Sequence, residues 1–451
     1  MALAGTAYLR GESRIVLVAL EAASAWGTYV APVALGAIKV TEFETSLQRG
    51  SRVKRDDAKS TTGVRNLDTE GVVQVNWSLK GYMYLENAAA QNAAGAVTGF
   101  DCLLYNFYGV RTNGGGKNDF TPLTGQTQLR SLTILHAFAD PNAAPAAGIQ
   151  ANKNDLIWGS ELLTGCVVKR FRSMYAGPKK VEIEFSGIAR RLARATRSAT
   201  AQAGAGNSIV LTDDQASRGF NGAPWKSTTW VAGEGPLIAY AVPTGGGAGS
   251  YDDNTGAGRL VTAINHVTKA LTVAGGAITF GGAGGFVWPW CPNPTFSGAN
   301  SYAANPLTSH EAALTLNPNS GFGFGGGAIA MPFESLEIVG ERDHQAEENQ
   351  AGSYEAVDIL TESERTWTGT VTVRSRHDLN KWQGARRDYA NYTMALDIGP
   401  PAGRHLHIDA PIFELGENEE TKIPKRGRGE FSIPFTMLES SGDDEMSFEL
   451  W

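Results

Sequence analysis

The stretch His405-Leu406-His407-Ile408-Asp409 sets three potential metal ligands at alternate positions. In an extended strand alternate residues share one face, so two imidazoles and a carboxylate would converge there. The same pattern also suits a polar strand face or a subunit contact. His344, beside Asp343 and near Glu347, is a weaker grouping and reads as part of an acidic loop. Catalysis by a nucleophile finds less support. The seven histidines are scattered, and no Ser/His/Asp arrangement can be drawn from them. Gly323–Gly327 runs into Ala328-Ile329-Ala330-Met331-Pro332, with no following Lys-Ser/Thr, and so is no phosphate loop. Carboxylates stand near Trp367 and Trp382, but the ten tryptophans are dispersed, and Trp77 and Trp367 occupy strand positions. Packing explains them better than a sugar-binding surface. Cys102, Cys166 and Cys291 are odd in number and widely spaced, which fits buried thiols and a reducing site of assembly. The expectation is therefore a protein that is not an enzyme, with no catalytic residue, no metal and no cofactor.

The elements that must position these residues show a repeat of pattern. At 451 residues the chain is long for one domain, and the length prior suggests about three. Glycine is abundant at 54 residues, between β-branched runs, which favours an all-β fold with many turns. The apolar stretch Ile15–Leu20 leads to a Gly/Pro turn, Gly27–Pro32, and an alternating segment, Ile38–Leu47, with a phase slip before Phe43. A long charged loop leads to Val72–Tyr82, where Val73, Val75, Trp77 and Leu79 share one face. Helical turns over 82–94 and 100–108 follow, then strands over Leu132–Phe138, Gly165–Tyr175 and Lys179–Ile188. The C-terminal part does the same. Ala313–Leu316, the Gly-rich Gly321–Gly327 and Phe333–Glu341 precede a long charged loop. Thr366–Ser375, a helix over Asp378–Tyr389, Tyr392–Ile398 and Glu430–Leu438 follow. Pro434 demotes the last run to an edge or bulged strand. Between the copies, short strands at Ser208–Thr212, Arg259–Ile264 and Ala270–Val273, separated by glycine-rich turns, predict a small inserted β-barrel.

The expected fold is all-β with minor helix. It consists of two tandem β-sandwich or barrel domains, 1–203 and 293–451, and an inserted small β domain, 204–292. Ile15–Leu20 before Ala23-Ser24-Ala25 imitates a signal peptide, but Glu21 interrupts it and a strand reads better. No run approaches the ~18–20 apolar residues of a membrane helix, so no membrane insertion is expected. The net charge of −7 argues against tight binding of DNA through the whole surface.

Each copy's first hairpin carries a long connection. Gln48–Glu70 begins basic, with Arg49, Arg52, Lys54, Arg55, Lys59 and Arg65. His344–Glu364 is acidic, with Glu347, Glu348, Glu355, Asp358, Glu362 and Glu364. Connections beyond about 12–15 residues are usually functional or disordered. Opposite signs suit two arms that meet. An extended arm of about eleven residues each way reaches on the order of 35 Å, enough to touch a neighbouring subunit. These twelve residues are the expected ring-stacking or subunit contacts.

Gly27-Thr28-Tyr29-Val30-Ala31-Pro32, Ile38–Leu47, the charged arm with Arg49-Gly50 and Val72–Gly81 resemble tail tube proteins of long-tailed (siphovirus-type) bacteriophages. Leu163–Val168 with Lys179–Gly187, and Glu334–Arg342 with Trp367–Ser375, are similar too. The resemblance implies a tube fold of two packed antiparallel sheets flanked by a helix, rings whose inner sheets close into one β-barrel, and rings stacked through long loops. Two fold copies per chain imply homotrimeric, pseudo-sixfold rings around a lumen for double-stranded DNA. The implied partners are further copies of the chain and other tail proteins: tape measure, tail terminator and baseplate. The implied location is the virion tail, assembled in the bacterial host cytoplasm. The alternatives are another β-rich virion protein, capsid or baseplate, and a secreted carbohydrate-binding protein.

Overall fold

The computed structural model describes residues 14–22, 26–27, 30, 32, 36–49, 73–84, 98–114, 117–122, 130–138, 161–194, 196–198, 207–210, 228–229, 237–242, 250–251, 259–265, 270–275, 285–289, 306–318, 328–346, 359–374, 376–387, 391–399, 405–416, 420–422, 429–442 and 444–450. The fold is all-β with two helices of any length among these residues. The first stretch holds β1 (Arg14–Leu20), β2 (Ala37–Ile38), β3 (Val40–Arg49), β4 (Val73–Tyr82), α1 (Gly99–Tyr108), β5 (Gly109–Gly114), β6 (Lys117–Pro122), β7 (Leu132–Phe138), β8 (Glu161–Ala176), β9 (Glu182–Ala189) and β10 (Arg191–Arg194). The middle stretch holds β11 (Thr196–Ser198), β12 (Ser208–Val210), β13 (Thr228–Thr229), β14 (Leu237–Val242), β15 (Ser250–Tyr251), β16 (Arg259–Asn265), β17 (Ala270–Val273) and β18 (Gly285–Pro289). The last holds β19 (Ala313–Pro318), β20 (Ile329–Ala330), β21 (Ser335–Ala346), β22 (Ile359–Val373), α2 (Arg376–Arg387), β23 (Tyr392–Ile398), β24 (Leu406–Leu415), β25 (Glu420–Lys422), β26 (Glu430–Leu438) and β27 (Ser447–Leu450).

The repeat of pattern is a repeat of pairing. In the first stretch β1 pairs with β2 and β7, β3 with β4, β4 with β9, and β8 with β7, β9 and β10. In the last, β19 pairs with β20 and β23, β21 with β22, β22 with β26, and β24 with β23, β26 and β27. All these ladders are antiparallel. Trp77 lies between Thr45 and Gly187, and Trp367 between Gly340 and Met437. Phe185 pairs with Phe171, as Phe435 does with Leu415. These positions fix the residue-by-residue correspondence of the two copies.

The copies are joined edge to edge. β21 pairs with β8 from Ser335↔Ala176 to Glu341↔Arg170. Four strands from each copy thereby form one run, β3–β4–β9–β8–β21–β22–β26–β24. Ion pairs line the joint: Arg170 Nε to Glu341 Oε1 at 3.3 Å and Arg172 Nε to Glu337 Oε1 at 2.5 Å. A second seam pairs β6 with β27, Phe120 opposite Phe448. The core is shared as well. Trp367 packs against Phe107, Tyr108 and Phe171 of the first copy, with ring centroids 5.3, 5.5 and 6.4 Å away. Gly340 is what lets this ring lie across its strand, because a Cβ there would sit 2.5 Å from Trp367 and 2.8 Å from Phe107.

α1 packs beneath the run. Thr98 and Asp101 close its N-terminus as a capping box, and Gly109 ends it with φ at 96°. Glu21 anchors the other layer. Its buried carboxylate accepts hydrogen bonds from Gly27 N, Gly165 N, Ser131 Oγ and Thr133 Oγ1 at 2.5–2.9 Å, tying the end of β1 to β7 and β8. Burial pushes its pKa up, against those hydrogen bonds. Cys102 and Cys166 are buried free thiols, raised by burial, Cys102 to about 12.

The structure departs from the sequence reading in several places. Pro434 is not on an edge strand: β26 is bonded on one side by β22 and on the other by β24 and β25. Pro434 falls where the second neighbour changes from β25 to β24, so its missing N–H costs little, and its carbonyl accepts from Gly416 N at 2.8 Å. The middle strands form a sheet ordered β11-β18-β14-β16-β17-β12. Among the described residues no β11–β12 pairing closes it into a barrel, and it takes in Thr196–Ser198, upstream of residue 204. The helical turns expected over 85–94, the Gly321–Gly327 run and the glycine turns of the middle region lie outside the described residues.

Candidate functional site

The histidine cluster forms at one end of the β23–β24 hairpin, with a different membership from that expected. The ladder sets Asp397 opposite His407. Asp397 Oδ1 lies 3.0 Å from His405 Nε2 and 2.7 Å from His407 Nδ1. Asp409 is not in the convergent set; it stands 2.7 Å behind, on His407 Nε2. His405 Nδ1 faces Gly399 O at 3.0 Å. The two rings are nearly parallel, at 17°. The hydrogen bond to Asp409, then that to Asp397, hold the His407 imidazolium up to about 9. Sequence spacing finds His405 and His407, but Asp397 comes from the neighbouring strand and only the register reveals it. His344 is buried within β21, not part of a solvated loop, and burial lowers its pKa to about 3.

The open strand edges are the second feature. Among the described residues β3 is bonded on one side only, by β4, and β25 only by β26. Beyond Phe413 the side of β24 that faces away from β26 carries no further ladder among those residues. These edges correspond to the two strands of the joint: β3 to β21, and β24–β25 to β8. The correspondence carries Ser46 onto Glu341 and Glu414 onto Arg170, which oppose each other in the joint. Ser46 and Glu414 are both exposed.

Of the arm residues, Arg49 ends β3, and Glu362 and Glu364 lie in β22. The second arm is thus a hairpin extension, with Ala346 opposite Ile359. Arg52, Lys54, Arg55, Lys59, Arg65, Glu347, Glu348, Glu355 and Asp358 lie outside the described residues. No helix among the described residues is long and apolar enough to cross a membrane. No protein-family model matches the sequence, and no curated protein matches it.

Proposed function

We propose that the chain is a structural subunit of a bacteriophage tail tube: a ring former that stacks into a hollow tube through which double-stranded DNA passes. One observation carries this reading. A duplicated four-stranded unit is joined head to tail inside the chain, and among the described residues the same two kinds of edge are left open at its ends. Open strand edges are templates for pairing, and unlike edges generate rings when the rotation closes. Three chains would contribute a pseudo-sixfold ring. The wet face of the run would line the lumen. It carries Asn76, Ser78, Thr368 and Thr370, while Arg170 and Arg172 are ion-paired to Glu341, Glu337 and Glu184. Such a surface offers DNA phosphates few uncompensated cations, so the genome slides. The chain is not read as an enzyme. Its partners are copies of itself and the tape measure, tail terminator and baseplate proteins, and its place is the virion tail, assembled in the host cytoplasm.

Negative-stain electron microscopy of the concentrated protein tests this. Hollow tubes or stacked rings with threefold or pseudo-sixfold end views are expected. Monomers that stay dispersed with purified tail-initiating proteins added would overturn it. Stacking is assigned to the charged arms. Deleting residues 52–65 is expected to leave the circular dichroism spectrum unchanged and to abolish tubes while single rings persist. Tubes of normal length from that deletion would exclude the arm.

A further inference from the structure

We infer that Asp397, His405 and His407 form a zinc-class divalent cation site, independent of the tube reading. The carboxylate and one nitrogen of each imidazole converge, all within 4.8 Å of one another. Their present spacings of 2.7 and 3.0 Å are hydrogen-bond distances. Tetrahedral zinc, with bonds near ~2.0–2.2 Å, sets its ligand atoms about 3.3–3.6 Å apart, so each imidazole nitrogen would draw back from the carboxylate oxygen by about 0.3–0.9 Å. The outer contacts are those a metal-binding histidine requires. His405 faces Gly399 O with its other nitrogen, and His407 faces Asp409 with its own. Such partners fix the tautomer and aim the free lone pair at the metal.

A cation would also satisfy the proton count at these rings. All four ring nitrogens face an acceptor, yet a neutral imidazole carries one N–H. The inner nitrogen of each ring therefore holds either a second proton or a cation. A cation bound here ties β23 to β24 beside the Ile398↔Leu406 pair, and the three ligands leave a fourth position open to water. Its role is a staple across the hairpin.

The test is calorimetric titration of the full chain with zinc chloride at neutral pH, together with thermal melting. One zinc per chain and a raised melting temperature are expected. Asp397→Asn and His405→Gln should each weaken binding at least tenfold. Asp409→Asn, which removes only the support behind His407, should weaken it about 10–100-fold. Asp397→Asn is nearly isosteric at a partly exposed position, so it decides the matter if His405→Gln misfolds. Cobalt(II) in place of zinc should give the strong visible bands of a tetrahedral site. Absence of zinc binding, or binding unchanged by Asp397→Asn, overturns the assignment.

Discussion

Replacing Trp367 by alanine is expected to lower the stability of the folded protein by about 3–5 kcal/mol, the range for a buried large aromatic residue. It should do so without splitting the unfolding of the tandem copies into two transitions. Trp367 is 1% exposed, and its ring neighbours Phe107, Tyr108 and Phe171 belong to the other copy. A cavity there weakens both copies at once. Trp77, at the corresponding position, packs within the first copy and donates from Nε1 to Ile188 O at 3.1 Å. Trp367 Nε1 is buried with no hydrogen-bond partner among the described residues. A buried unsatisfied donor costs about 1–3 kcal/mol, so Trp367→Phe removes a penalty along with the volume. Trp77→Phe instead loses a hydrogen bond. Trp367→Phe should therefore be the milder of the two. Urea unfolding followed by circular dichroism and tryptophan fluorescence checks both points. Two separated transitions, with only one moved by Trp367→Ala, would mean that the copies do not share a core.

Much of this fold is legible in the sequence where one face is wet. β4 and β23 alternate cleanly over Val73–Tyr82 and Tyr392–Ile398, and both strands form there. The phase slip before Phe43 is the register shift between Val40 and Glu42. Two local signals carry elements that composition alone does not suggest. Thr98-x-x-Asp101 is a capping box, and the Gly-Gly dipeptide at 115–116 in the sequence separates β5 from β6, whose last pair is Gly114↔Lys117. Other features depend on contacts far apart in sequence. Glu21 breaks an apolar run, and nothing local shows that Gly27, Ser131, Thr133 and Gly165 will gather around it. Pro434 obeys a local rule that its surroundings override. Asp397 joins His405 and His407 only once the β23–β24 register is fixed. The β8–β21 joint is likewise invisible to periodicity, because a strand reads the same whichever neighbour it takes.

Ser46→Cys/Glu414→Cys, oxidised under assembly conditions, is expected to link separate chains covalently, with species of two and three copies on a non-reducing gel. The reasoning starts from the internal joint, where the corresponding Glu341 and Arg170 are directly opposed. Opposed residues of an antiparallel pair have Cα atoms about 4.5–5.5 Å apart, within the span of a disulfide. Both sites are exposed, so the substitutions should not disturb the core. Cys102 and Cys166 are buried and do not compete, and Cys291, which lies outside the described residues, is replaced by serine in every variant. Each single variant is the control. The internal and external joints differ in charge: Arg170 meets Glu341 inside, whereas Glu44 would lie diagonal to Glu414 between chains. Closure should therefore be the weaker contact and should strengthen with salt, which screens like charges. Ser46→Glu/Glu414→Arg rebuilds the internal pair. At about 0.2–1 kcal/mol for an exposed pair, it should lower the assembly concentration by up to about fivefold per joint. Tubes that form without the disulfide would reject this register and leave the tube reading standing. A chain that neither links nor assembles, even with initiating proteins present, would reject both.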